Sequence, residues 1–239
     1  MSVYTFQTRV AYDDIDESLH LTLRGAMGHM QEAAILHSSQ CGFSITDIPQ
    51  THVIWMLVQW RARLVGKADW NEQITVRTWP RTMERITSVR NYEIYAKDGT
   101  LVAVGESNWV LVNADTGRTT RITPEVAAAY DLTEQDVFDA PLPILPKGTG
   151  EPVVQFHVSR RDIDTNHHVN NRVYLDYARE ALPNEIAEFP FPEVSVRYHR
   201  QLLQDDPVVC WYRREDGCHV VEICGEERTH LHATVVFYE

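Results

Sequence analysis

Two short stretches of this chain follow one plan, and the repetition limits the folds open to it. Asp13-Asp14-Ile15-Asp16-Glu17-Ser18-Leu19-His20-Leu21-Thr22 and Arg161-Asp162-Ile163-Asp164-Thr165-Asn166-His167-His168-Val169-Asn170-Asn171 each run straight into a helical pattern. A shift of 148 residues, without a gap, lays Asp14 on Asp162, Ile15 on Ile163, Asp16 on Asp164 and His20 on His168. The same shift carries Arg24 onto Arg172, Glu32 onto Glu180 and Ala33 onto Ala181. Loop, cap and helix coincide, which signals duplication of a unit roughly a hundred residues long or somewhat more. At 239 residues the chain has room for two such units.

The rest of each half repeats one order of elements. Tyr4 to Tyr12 alternates as a strand, with Tyr4, Phe6, Thr8 and Val10 on one face. Thr22 caps a helix through Leu23, Met27, Met30, Ala34 and Leu36, which Gly42 stops. Strands are expected at 53–64, 73–81, 87–96 and 101–113, with Lys97-Asp98-Gly99-Thr100 as a hairpin turn. Thr123 and Pro124 begin a short helix to Tyr130. In the second half a strand is expected at 153–159, a helix at 171–182 ended by Pro183, and strands at 193–200, 207–213, 219–224 and 228–238. The expected class is α+β. Two units, 1–139 and 153–239, flank a Pro- and Gly-rich linker at 140–152, and each is one helix wrapped by a curved antiparallel sheet.

Composition narrows the function. A net charge of −12 argues against general nucleic-acid affinity. No apolar run reaches membrane-spanning length and Met1 to Arg9 lacks a signal-peptide core, so a cytosolic protein without membrane partners is expected. Cys41, Cys210, Cys218 and Cys224 form no CxxC pair and read as reduced thiols. Cys218 and His219 with His230 and His232 could be imagined as a zinc site, but Cys218 and Cys224 are spaced unlike common ones, and no metal or organic cofactor is expected.

The second copy of the loop concentrates groups that do chemistry. Asp164, Asn166 and His168 sit at alternate positions, so an extended backbone turns all three to one side. Asn170 or Asn171 suits the cap of the following helix, in which Val173, Tyr174, Tyr177, Ala178 and Ala181 recur with helical period. The free N–H groups of a helix's first turn suit a carbonyl oxygen that gains negative charge. Aspartate and asparagine also favour plain turns and caps, but that reading leaves His168 over.

With these residues the chain resembles the acyl-acyl-carrier-protein thioesterases, whose fold is a tandem pair of hotdog domains. In the first half the resemblance rests on Met30-Gln31-Glu32-Ala33-Ala34, on Ala68-Asp69-Trp70-Asn71-Glu72, and on Ser107 to Asn113 with Thr116-Gly117-Arg118. In the second it rests on Asp162 to Asn171, close to the family's most specific signature. The resemblance implies release of a free fatty acid from acyl carrier protein, with Asp164, Asn166 and His168 as catalytic residues. Gln201 and Leu202 stand where plant members have an adjacent Glu and Cys, so a papain-like Cys/His mechanism does not transfer. Gln201 can bind a water but cannot act as a base. An imidazole titrates near neutrality, which makes His168 the candidate base; Asp164 either orients it or activates water itself.

The N–H groups around Val169 and Asn170 are expected to hold the thioester oxygen. Ser18 replaces Asn166 in the first copy, which is therefore expected to be catalytically degenerate. Its Met27 and Met30, with Trp55 and Trp60, are candidates to line an acyl pocket, although a plain core role suits each. Arg77, Arg81, Arg85 and Arg90, or Arg160 and Arg161, are candidates to dock the acidic carrier. A homodimer is compatible with the resemblance. An acyl-CoA thioesterase and a non-catalytic acyl-binding protein are the alternative readings.

Overall fold

A computed structural model describes residues 3–145, 148, 150–187 and 189–239, which divide into units Met1–Leu142 and Pro143–Glu239. The N-terminal unit runs β1 (Tyr4–Arg9), α1 (Leu23–Gln40), α2 (Ile48–Thr51), β2 (Val53–Leu64), β3 (Gln73–Glu84), β4 (Thr87–Tyr95), β5 (Leu101–Asn113) and α3 (Pro124–Ala129). The C-terminal unit runs β6 (Glu151–His157), α4 (Val173–Glu180), β7 (Glu193–Tyr198), β8 (Pro207–Glu215), β9 (Cys218–Cys224) and β10 (Leu231–Tyr238). Within the first unit the antiparallel strands are ordered β1-β3-β4-β5-β2, and within the second β6-β8-β9-β10-β7. Counted within its own unit, each order is first-third-fourth-fifth-second. Each unit is one main helix laid on one antiparallel sheet.

The helix stripe explains the packing. α1 buries Leu23, Ala26, Met27, Met30, Ala33, Ala34 and His37 against the sheet. A Cβ on Gly105 would lie 2.6 Å from the Met30 sulfur, so the bare backbone of β5 makes room for the thioether. Burying one such side chain stabilises by about 2 kcal/mol. α4 is shorter and buries Tyr174, Leu175, Tyr177 and Ala178 against β9 and β10.

Several boundaries differ from the sequence reading. β6 starts at Glu151, inside the expected linker, and α4 spans Val173–Glu180 instead of 171–182. Of that linker, residues 146, 147 and 149 lie outside the described residues. The segment after α3 is a strap on the N-terminal sheet. Trp79 Nε1 and Asn91 Nδ2 both donate to the Gln135 carbonyl, at 2.9 and 2.7 Å. Arg81 pairs with Asp136 at 2.9 Å, and the Arg61 guanidinium stacks 4.1 Å from the Phe138 ring centroid. The strap has no periodic pattern, because its contacts are single side chains on a carbonyl or a ring.

Candidate active site

In the C-terminal unit the repeated loop begins in a 3-10 turn, Arg160–Asp162, and ends at α4. Ile163 bridges Val169, and the Asp164 N–H donates to the His168 carbonyl at 2.8 Å. The chain therefore doubles back between Asp164 and His168 instead of running extended. His167 makes the reversal with a left-handed φ of 63°, and the Asp164 carboxylate accepts the Asn166 N–H at 2.7 Å. This corrects the expected alternation. Asp164 and His168 are backbone partners at the base of the loop, and Asn166 stands exposed at its tip. Among the described residues, no side-chain hydrogen bond joins Asp164 to His168.

The amides expected to hold a substrate oxygen are engaged elsewhere. The Val169 N–H donates to the Leu202 carbonyl at 2.9 Å, and the Asn170 N–H to the Asp162 carbonyl at 2.9 Å. That expectation is corrected: neither amide is open to a ligand. Asn170 contributes through its side chain, whose Oδ1 accepts the Arg172 N–H at 3.0 Å just ahead of α4. Among the described residues, the Asn171 N–H carries no hydrogen bond, leaving an open donor at the helix start. The Val169–Leu202 bond also brings the following segment to the loop, so exposed Gln201 lies beside it.

Three tyrosines brace this assembly, although sequence reading uses two of them only as apolar periodicity. Tyr177 donates its hydroxyl to Asp162 Oδ2 at 2.7 Å, and Tyr198 donates to the Asn171 carbonyl at 2.9 Å. The Tyr174 hydroxyl accepts the Leu202 N–H at 3.0 Å. Burial pushes all three phenols above their ordinary range, so they stay protonated at neutral pH. The one hint in the sequence is that a buried tyrosine hydroxyl needs a partner.

The first copy repeats the backbone almost bond for bond. Ile15 bridges Leu21, Asp16 N–H donates to the His20 carbonyl at 3.0 Å, and Leu19 takes the left-handed φ of 65°. Asp16 Oδ1 accepts the Ser18 N–H at 2.9 Å, and Leu21 N–H donates to the Ala68 carbonyl at 2.9 Å. The side chains diverge. His20 Nδ1 lies 2.9 Å from Asp69 Oδ1 and its Nε2 lies 3.4 Å from Lys67 Nζ, so both ring nitrogens have partners.

The other candidates separate cleanly. Met27, Met30 and Trp60 are fully buried in the N-terminal core, with Trp60 stacked on Tyr92 at 5.6 Å. Trp55 is half-buried, and its Nε1 donates to the Tyr130 hydroxyl at 3.1 Å. Three arginines of the first set are engaged, whereas Arg85 is exposed in the turn between β3 and β4. Arg77 pairs with Glu93 at 2.7 Å, Arg81 pairs with Asp136, and Arg90 is buried with its guanidinium 2.9 Å from His37 Nδ1. Arg160 and Arg161 are exposed immediately before the loop. His219 is held between Tyr212 and Glu239, each at 2.9 Å, which removes it from the conceivable zinc set. Among the described residues, no three His, Cys, Asp or Glu side chains are grouped to hold a metal ion, and no helix is long and apolar enough to cross a membrane.

A helix on a five-stranded antiparallel sheet, built twice in one chain with the same loop before each helix, defines a tandem hotdog protein. Its fold matches the structure of an acyl-ACP thioesterase from Bacteroides thetaiotaomicron with a TM-score of 0.88 at 20% identity, covering 99% of this chain and 97% of that one. A 12:0-ACP thioesterase from Umbellularia californica gives a TM-score of 0.83 at 18% identity, covering 99% and 96%. Oleoyl-acyl carrier protein thioesterase 2, a chloroplastic protein of Arabidopsis thaliana, is 28% identical over 202 residues, 75% of this chain and 54% of that protein. The chain thus spans about half the length of this relative. The N-terminal domain of acyl-ACP thioesterases matches residues 1–130 and the C-terminal domain residues 148–233. The chain belongs to the acyl-ACP thioesterase family.

Proposed function

We propose that the protein hydrolyses the thioester of an acyl chain carried on acyl carrier protein and releases the free fatty acid in the cytosol. The carrying observation is the loop that joins Asp164 and His168 at its base, holds Asn166 at its tip and has Gln201 beside it. In this reading water attacks the carbonyl carbon, His168 takes the proton from the water, and the C–S bond breaks to leave the thiolate of the carrier's arm. A thiolate leaves readily, so little general-acid help is required. Asn166 positions the water or the carbonyl, and Gln201 hydrogen-bonds the same water. Asp164, one of whose oxygens holds the Asn166 amide, orients the imidazole or the water with the other. The open Asn171 N–H replaces Val169 and Asn170 as the candidate donor to the oxygen that becomes negative.

Met27, Met30, Trp55 and Trp60 are proposed to shape the acyl pocket of the N-terminal unit. Buried, unreactive thiols suit the cytosol: desolvation raises Cys210 to about 12 and Cys224 to about 11. The test is hydrolysis across acyl-carrier-protein and acyl-CoA substrates of graded chain length. Turnover confined to the CoA substrates would make it an acyl-CoA thioesterase, and no thiol release from any would make it a binding protein.

A further inference from the structure

The two copies of the loop allow fold-holding bonds to be told apart from site-holding ones. The shift of 148 residues lays Tyr174 on Ala26 and Tyr177 on His29. Beyond the helix the correspondence shifts to 134, because Val65 and Gly66 both donate to the Val102 carbonyl as His199 and Arg200 do to that of His232. Tyr198 then falls on Leu64, Gln201 on Lys67 and Leu202 on Ala68. The Tyr177–Asp162 bond has a counterpart in position, since His29 Nε2 lies 3.0 Å from Asp14 Oδ2, a close charge contact without hydrogen-bond geometry. The hydroxyl bonds of Tyr174 and Tyr198 have none, because alanine and leucine stand there. Yet the first copy closes the same loop, including the Leu21–Ala68 bond that matches Val169–Leu202. The fold of the loop therefore does not require those two hydroxyls. They occur only in the copy that has the full Asp164, Asn166 and His168 set.

We propose that Tyr174 and Tyr198 are positioning residues that fix Gln201 and the Asn171 amide for thioester hydrolysis. The peptide plane between Gln201 and Leu202 is held at both ends: Tyr174 accepts its N–H, and His232 Nδ1 lies 3.1 Å from its carbonyl oxygen. That clamp sets where the Gln201 side chain leaves the backbone. Tyr198 holds the Asn171 carbonyl at 2.9 Å and so orients the turn that carries the open Asn171 N–H. The two rings meet edge to face, 5.3 Å apart, so they act as one block. Reacting groups held loosely by an ångström lose rate without losing affinity.

The inference rests on the proposed hydrolase activity, and its test separates the two. Wild type, Tyr174→Phe, Tyr198→Phe, His168→Ala and Tyr212→Phe are compared on one acyl-carrier-protein substrate, with thermal melts and amide hydrogen exchange on each. Tyr212, which meets His219 at 2.9 Å away from the loop, controls for loss of a hydroxyl. The expected result is a kcat about ten- to a hundredfold lower in the Tyr174 and Tyr198 variants, with KM within about twofold and an unchanged pH profile. Tyr212→Phe keeps wild-type kcat, and in Tyr174→Phe the Leu202 amide exchanges at least about tenfold faster. Unchanged kcat in the folded Tyr174 and Tyr198 variants, or an equal fall in Tyr212→Phe, would overturn the inference. So would an unchanged Leu202 exchange rate in Tyr174→Phe, a readout independent of activity. Wild type that releases no thiol, or His168→Ala with full activity, would sink the proposed function instead.

Discussion

Histidines at three places in this chain have three different fates, and their neighbours decide which. His168 makes no side-chain bond to Asp164, whereas His20 is tied on both ring nitrogens to Asp69 and Lys67. Replacing His168 by Ala is expected to lower turnover by roughly two to four orders of magnitude, the scale of a general base. Replacing His20 by Ala should leave turnover nearly unchanged, and steady-state kinetics on the two purified variants checks the pair. Loss in the His20 variant with retention in the His168 variant would place the chemistry in the other unit. His37 is the third case. It is buried beside Arg90, stacks on Tyr4 at 5.4 Å and meets Tyr130 edge to face. Desolvation first, and the Arg90 charge second, lower it from 6.5 to about 4, against the opposing pull of Asp131. The unfolded chain thus takes up this proton before the folded one does. Stability is full above about pH 6.5 and falls as pH drops toward about 4, by on the order of 2 kcal/mol after solvent screening. Denaturant midpoints measured from pH 7 to 4 should show that slope. His37→Gln, which keeps an acceptor for Arg90, should flatten it.

At the scale of elements, the two copies show why one helix starts where expected and the other does not. Thr22 Oγ1 accepts the Gly25 N–H at 3.1 Å, and α1 begins at Leu23. A Cβ on Gly25 would lie 2.6 Å from the Asp14 carbonyl oxygen and from Asp14 Cβ, so only glycine lets the first turn lie so close to the loop. The second copy has Val173 at that place and begins its helix there, with Asn171 and Arg172 in a turn. Gly25→Val is therefore expected to destabilise the protein by about 2–3 kcal/mol through forced overpacking. A thermal melt lowered by roughly 5–10 °C would agree, and an unchanged melt would contradict the tight approach. Strand positions, the Thr22 and Thr123 caps and the repeated loop were legible because they depend on neighbours in sequence. The loop's closed shape was not, because it turns on His167 adopting a left-handed φ that no neighbouring residue dictates. The engagement of the Val169 amide was not, because its acceptor Leu202 lies far along the chain. The tyrosine hydroxyl bonds were hidden for the same reason: period reveals which face is buried, not what a buried hydroxyl touches.

At the scale of the whole chain, the proposed carrier-protein substrate sets a requirement: an acidic protein that docks an acidic carrier needs a local reversal of sign. The net charge of −12 repels such a partner at long range, and salt screens that repulsion beyond about 10 Å. Of the candidate arginines of the N-terminal sheet, Arg77 and Arg81 are paired and Arg90 is buried, which leaves the exposed Arg85 as a single charge and not a cluster. Around the C-terminal loop the chain places Arg160 and Arg161 before it, Arg172 after it and Arg200 next to Gln201. Arg161 is well exposed and only loosely paired, with Nε 3.6 Å from Asp162 Oδ1, while Asp162 itself is held by Tyr177. An exposed arginine of this kind governs encounter with a charged partner more than it governs chemistry. The double variant Arg160→Glu with Arg161→Glu should raise KM for an acyl-carrier-protein substrate by about five- to tenfold and leave kcat within about twofold. The rate with a small uncharged thioester should not change, because that substrate does not meet the patch. Raising ionic strength should weaken the carrier substrate for the wild type and do little further to the variant. The decisive measurement is KM against salt for both proteins on both substrates. A variant that loses the small thioester equally has a damaged loop, and one that keeps wild-type KM for the carrier has its docking surface elsewhere.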